Sequence, residues 1–313
     1  MALVLGPQTI PTYTGFGVET PHGVFLPPGG QVVAYVRSTG VGDQDPPEIA
    51  NRLVTSLAAA LPYARANKGD AIVVLPGHTE NVSVGTALST LVAGTRIVGV
   101  GVGTNRPTFT FNAVASRWNI AVANCLFTNL LLNFAGGAAV GIGIDVTAAH
   151  ARFSGCEFIT SALNTSRADN VIRLSAGADD FTFVENIMRG NNAANGVVDN
   201  ILVNATVARA RFLRNQMSLG VTVATVGLIR FAAIATDCWV CDNYMASTLA
   251  TSSTILDFDA AATGRAFNNR CEIGSNQAAG TGFTVGTSGF RFGENYVTGV
   301  VDTSGYLSPA ADT

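Results

Sequence analysis

The chain is predicted to be all-β, a parallel β-helix in which each turn of the coil is one sequence repeat. Three observations predict it. A Cys or Asn followed two places later by a large apolar residue recurs as Cys125/Phe127, Cys156/Phe158, Asn186/Met188, Asn215/Met217, Asn243/Met245, Cys271/Ile273 and Asn295/Val297, with centres 31, 30, 29, 28, 28 and 24 residues apart. Between them runs a second series, Ile144/Val146, Ile172/Leu174, Ile201/Val203, Ile229/Phe231, Leu256/Phe258 and Phe283/Val285, whose last members repeat at 28, 29, 28, 27 and 27. Inside each period the elements are short, alternate apolar with polar, and carry β-branched and aromatic residues, so they read as strands. Two series sharing one period indicate a solenoid, here of about ten turns.

Composition narrows the classes. With 313 residues the chain can bury a substantial core, and its net charge of -3 with 12% charged residues and no basic block argues against nucleic acid as a partner. No run of about 18 apolar residues suggests a membrane span. The start, MALVLGPQTIPTYTG, lacks the basic residues and continuous apolar stretch of a signal peptide. Five cysteines cannot all pair; Cys125, Cys156 and Cys271 at repeat centres read as buried and reduced. Cys238 and Cys241 form a CxxC within repeat sequence, whereas a redox pair belongs at a helix start and zinc needs further ligands. No metal and no cofactor are expected.

In chain order, residues 1–30 are rich in Gly, Pro and Thr and read as an extended arm, with Tyr13, Phe16 and Phe25 available to dock on a neighbouring subunit or partner. A local cap is the alternative. Residues 31–70 hold a first strand, 31–38, and then a capping helix. Asp45, Pro46 and Pro47 suit a helix start, and Ile49, Leu53, Leu57 and Leu61 have helical spacing from Glu48 to Ala66, with Pro62 placed to end or kink it. Such a helix would close the open end of the coil, whose first turn otherwise exposes edge and core. The coil is assigned to 71–300, beginning with a buried strand Ala71–Leu75 and a Pro-Gly turn beside which His78 reads as a surface turn residue. Residues 301–313 form a polar tail.

The pieces Gly69-Asp70-Ala71-Ile72-Val73-Val74-Leu75-Pro76-Gly77, Glu80-Asn81-Val82 and Ile97-Val98-Gly99-Val100-Gly101 resemble the early rungs of the pectate-lyase-like superfamily. The resemblance spans residues 31–300 and implies a right-handed, single-stranded parallel β-helix. It implies no one activity, because lyases, hydrolases, epimerases and non-catalytic bacteriophage virion proteins share the scaffold.

On such a coil equivalent residues stack about 4.8 Å apart. Asn186, Asn215 and Asn243 then form a ladder at a bend, where Asn tolerates left-handed backbone and its amide can bond the next turn. Cys125 and Cys156 share the column, Cys271 interrupts it, and Asn295 resumes it. The preceding positions, Glu185, Arg214, Asp242, Arg270 and Glu294, alternate in sign, which disfavours slippage by one turn. A second column runs Asp145, Arg173, Leu202, Arg230, Asp257 and Thr284. These charges read as lattice groups.

Catalysis of the kinds this scaffold supports needs clustered carboxylates. Asp179/Asp180 has no acid aligned one turn away, Asp257/Asp259 straddles a strand and turn, and Asp237, Asp242 and Asp257 make at most a weak cluster, so no catalytic residue is assigned. Trp118, Trp239, Tyr244 and Tyr296 are the aromatic candidates for sugar stacking. Tyr244 and Tyr296 follow a repeat centre by one, so they should face outward, onto sugar or a subunit. The whole resembles a bacteriophage virion protein. The resemblance implies a structural head decoration protein, non-enzymatic, located in the virion, assembling as a homo-oligomer, a trimer, through a flat face and docking on capsid or other virion proteins. The alternative is a tailspike or fibre that binds or depolymerises host surface polysaccharide, as a lyase or glycoside hydrolase would.

Overall fold

A computed structural model describes residues 18–19, 25–40, 47–134, 139–160, 168–190, 199–219, 227–247, 255–258, 261–272, 283–285, 289–298 and 305–307. The alternating pattern folds as three parallel sheets around one core. The first sheet has 11 strands, the second 10 and the third 7. One turn illustrates the path: Thr182–Val184 in the first sheet, Ile187–Gly190 in the second, Asp199–Val203 in the third, then Arg211–Leu213 back in the first.

Period-two alternation sends one side chain of each strand inward, and the inward residues stack by type. In the first sheet the inner column is Phe127, Phe153, Phe183, Phe212, Val240, Ala266 and Phe292. In the second it is Leu132, Phe158, Met188, Met217, Met245, Cys271 and Val297. The third holds Trp118, Ile144, Ile172, Ile201, Ile229 and Leu256 in register. All three merge into one core from Val33 to Val297. Burying each Phe contributes roughly 1.5–3 kcal/mol, and Phe127 stacks on Phe153 at 4.7 Å.

Two expectations are corrected. Because the third sheet has only 7 strands, the coil is closed on three sides for about 6 turns, not ten. Before Trp118 the third side carries no strand: between Thr79–Val82 and Arg96–Gly99 the chain runs through turns. The helix expected from Glu48 to Ala66 is instead two single turns, Pro47–Ala50 and Leu57–Ala60, followed by a 3-10 turn Leu61–Tyr63. Between them Leu53–Val54 pairs in parallel with Val32–Val36 at the end of the first sheet. Ser56 caps the second turn by accepting from the Ala59 amide, and Glu80 accepts from the Leu57 amide at 2.7 Å. The apolar spacing was real, since Ile49, Leu57 and Leu61 are buried, but a strand edge needing partners took the middle of the segment.

The terminal assignments meet the structure only in part. Tyr13 and Phe16 lie outside the described residues, and Phe25 contributes backbone to a short antiparallel pairing of Phe25–Leu26 with Val18–Glu19. In the segment taken for a tail, Gly305–Leu307 pairs antiparallel with Asn295–Thr298.

Candidate functional site

The corner entering the second sheet is built on asparagine. The side-chain oxygens of Asn186, Asn215, Asn243, Asn269 and Asn295 each accept the backbone amide of the preceding turn's residue, Cys156, Asn186, Asn215, Asn243 and Asn269, at 2.9–3.1 Å. Each side-chain amide donates back to a first-sheet carbonyl, for example Asn215 to Phe183 at 2.8 Å. All five are buried, and the ladder satisfies amides that a bend would otherwise strand.

Three residues belong elsewhere than expected. Cys271 stands in the inner column between Met245 and Val297, and Asn269 holds the ladder position. Arg270 is displaced with it: Asn268 follows Asp242 in the charged column and donates to it at 2.7 Å. Cys125 lies at the other corner, just before the first-sheet strand Leu126–Thr128. The left-handed residues are also one place earlier than expected, at Glu185, Arg214, Asp242, Asn268 and Glu294, with φ between 52° and 59°. Glu185 and Arg214 pair at 2.8 Å. The corner entering the first sheet repeats the device, with left-handed His150, Asp180 and Arg209 and a two-pronged Arg209–Asp180 pair at 2.7 Å.

Burial pushes the thiols of Cys125 up to about 11 and of Cys156 and Cys238 up to about 12, and those of Cys271 and Cys241 upward too. Cys238 is buried while Cys241 is half-buried on the opposite face of their strand, since an odd spacing changes sides. The CxxC therefore does not face itself. Native protein at pH 8 is expected to leave Cys125, Cys156, Cys238 and Cys271 unlabelled by a thiol reagent for hours, with all five reacting in denaturant; rapid native labelling of those four, read by mass spectrometry, would contradict the packing.

The third sheet carries its charges on the outer face. Asp145 receives two bonds from Arg173, at 2.6 and 3.1 Å, and one from Ser175 at 2.8 Å. Arg230 sits 3.4 Å from Asp257 and 3.8 Å from Asp199. Asp199 is buried and accepts the Gly227 amide at 3.3 Å. Burial, with repulsion from Asp257, raises its carboxyl from 3.8 to about 6 against the pull of Gly227 and Arg230. A raised folded pKa favours the protonated fold, so this contribution is complete below about pH 4 and lost as pH rises through about 6. Asp199→Asn keeps the acceptor and removes the ionisation. It should add about 1–3 kcal/mol at pH 8 and little at pH 4; equal effects at both values in urea titrations would refute the assignment.

Asp237, Asp242 and Asp257 are kept apart. Asp237 and Asp242 occupy the two corners that flank the first sheet, whereas Asp257 belongs to the third; Asp259 lies outside the described residues. His78 is not a surface residue: it is buried against Phe109, with Nε2 3.1 Å from Glu80. Trp118 is buried 5.1 Å from Phe109 and is unavailable to sugar.

Two outward columns remain. On the second sheet Tyr244, Arg270 and Tyr296 stack in register, with Arg270 over the Tyr244 ring at 5.9 Å and the Tyr244 hydroxyl donating to Glu272 at 2.6 Å. On the first sheet one column reads Arg96, Leu126, Arg152, Thr182, Arg211, Trp239, Arg265 and Arg291. Trp239 lies between two guanidinium groups, Arg211 at 5.5 Å and Arg265 at 5.6 Å. Sequence reading missed this stripe, though its members Arg152, Arg211, Arg265 and Arg291 each stand four places before a ladder position. No protein-family model, curated protein or solved structure matches the chain.

Proposed function

We propose that the chain is a structural protein of a bacteriophage virion, a head decoration protein that assembles as a homo-oligomer, a trimer, on the particle. The coil is taken as right-handed, as parallel crossovers nearly always are, in keeping with the resemblance to the pectate-lyase-like superfamily. The observation that supports a building block is what the surface charges do. Asp145–Arg173, Asp180–Arg209, Glu185–Arg214 and Arg230–Asp257 each join one turn to the next. Single exposed pairs contribute only about 0–1 kcal/mol, but repeated along a coil they hold register and stiffness, which a particle component needs. Electron microscopy of the native particle, with the mass of the isolated protein, tests the reading. Oligomeric density on the head is expected, and a free, monomeric, polysaccharide-cleaving protein would overturn it.

The second reading is a tailspike or fibre that binds host polysaccharide. The observation favouring it is the Tyr244–Arg270–Tyr296 column, which offers aromatic groups and a cation along one outer face. Retention on immobilised host polysaccharide that disappears in Tyr244→Ala/Tyr296→Ala would move the assignment to it.

A further inference from the structure

On the third face and at part of each corner the charges of this coil pair from turn to turn, as Asp145–Arg173, Asp180–Arg209 and Glu185–Arg214 do, whereas the arginine column of the first face does not. Arg152, Arg211, Arg265 and Arg291 are exposed and make no ion pair among the described residues. Arg265 and Arg291 occupy directly adjacent turns, where like charges about 4.8 Å apart in strand spacing repel. Trp239 stands between Arg211 and Arg265, with each guanidinium group over its ring. Its two faces are thereby covered, so a sugar ring cannot stack on it, while the guanidinium edges stay free to fork onto carboxylates.

The rest of that face is ordered in stripes. Two residues along the strand from Arg211, Trp239 and Arg265 lie outward-facing Leu213, Cys241 and Phe267, the last 36% exposed, while Arg152 and Arg291 have Ser154 and Gly293 there. Beyond them the corner carries exposed Glu185 and Arg214, paired with each other, and then exposed Asp242, Asn268 and Glu294, so its later turns are net acidic. From the arginines toward this corner the order is basic, apolar, acidic, and the corner on their other side carries Asp180 and Asp237. A polyanion laid on the arginines would lie beside these acids and those of the opposite corner, Asp180 and Asp237, which disfavours it.

We infer that the occupant of this face is a second copy of this chain. With copies related by an axis parallel to the coil, the rods run in the same direction. The basic stripe of each then meets the acidic edge of the next, and the apolar stripes meet between them. Rods running in opposite directions would set arginine against arginine. The inference gives the oligomer of the proposed function its interface and rests on that reading.

The test measures self-association of the full chain by sedimentation. Arg211→Glu/Arg265→Glu/Arg291→Glu should weaken it on the order of 100-fold or more, and so should Asp242→Arg/Glu294→Arg. The left-handed backbone at Asp242 accepts arginine, since Arg214 already holds the same position one turn earlier. Combining all five changes restores opposite charges across the contact and should restore the oligomer, a result that a mere folding defect would not give. Wild-type association should weaken between about 0.05 and about 1 M salt. A wild-type protein monomeric at on the order of 100 µM, arginine variants of unchanged mass, or a five-fold variant that folds but stays monomeric would each overturn the inference. Loss of binding to an acidic polysaccharide in the arginine variants, with mass unchanged, would reassign the stripe to a glycan. Particle association is scored separately: a charge-dependent oligomer that never binds the virion refutes the virion reading and leaves the interface standing.

Discussion

Asn215→Ala is expected to lower the stability of the coil by about 3–5 kcal/mol, far more than its small side chain implies. The Asn215 oxygen accepts the Asn186 backbone amide at 2.9 Å and the Asn186 side-chain amide at 3.3 Å. Its nitrogen donates to the Phe183 carbonyl at 2.8 Å and to the Asn243 oxygen at 3.0 Å. Alanine strands the buried Asn186 backbone donor, removes one of the two bonds of the Asn186 side-chain amide and both donations to Phe183 and Asn243, and each buried group left unsatisfied costs roughly 1–3 kcal/mol. Solenoid stability is nearest-neighbour in character, so the damage should concentrate on the turns around Asn186 and Asn243. Hydrogen exchange of the flanking amides then accelerates well before those near Ala71–Val74. Asn215→Asp should be almost as harmful, because a carboxylate cannot donate to Phe183. A loss under about 1 kcal/mol in denaturant titration, or exchange that rises uniformly, would contradict the ladder as a buried network.

The same substitution made elsewhere separates what could be read in the sequence from what could not. Period and facing were legible, because burial imposes both on every strand: Ile144, Ile172, Ile201, Ile229 and Leu256 stand in one column as their spacing predicts. Register was less legible, because it is degenerate under two kinds of slip. Moving two residues along a strand keeps a side chain on the same face, so Cys271 fits the inward pattern as well as Asn269 does. The warning lay in uneven spacing, 28 then 24 about Cys271, where Asn269 gives 26 and 26. Asn269→Ala should therefore resemble Asn215→Ala, while Cys271→Ala should cost only what a small core truncation does. Cys125 was misplaced for the other reason: both corners put a buried residue after a left-handed one and two before an inward apolar one, so a motif drawn from one corner also matches the other. The arginine stripe was illegible until first-sheet register was known, because Thr182 and Trp239 interrupt it on the intervening turns.

Asp70→Ala is expected to cost about 2–4 kcal/mol and to loosen the beginning of the coil. This carboxylate is fully buried and takes four bonds: from the backbone amides of Gln31 and Arg65 at 3.2 and 2.9 Å, and from Arg65 Nε and Nη2 at 2.8 and 2.7 Å. It thus ties the entry to strand Val32–Val36, the turn after Leu61–Tyr63 and the first residue before strand Ala71–Val74. The Arg65 side chain is half-exposed, so a lone guanidinium would be rehydrated, and the larger loss is the two stranded backbone donors. Asp70→Asn keeps an acceptor and should cost less, about 1–2 kcal/mol. The pH dependence identifies the charge. The Arg65 hydrogen bonds hold the Asp70 carboxyl below its ordinary 3.8, outweighing burial. Its contribution is therefore present above about pH 4 and lost as pH falls through the lower folded value. Wild type and Asp70→Asn should converge in stability as the solution is acidified below pH 4, and a gap that stays constant would mean that geometry, not ionisation, carries the bond. Proteolysis of Asp70→Ala should begin within residues 31–70 while the later turns stay intact, because each turn rests mainly on its neighbours.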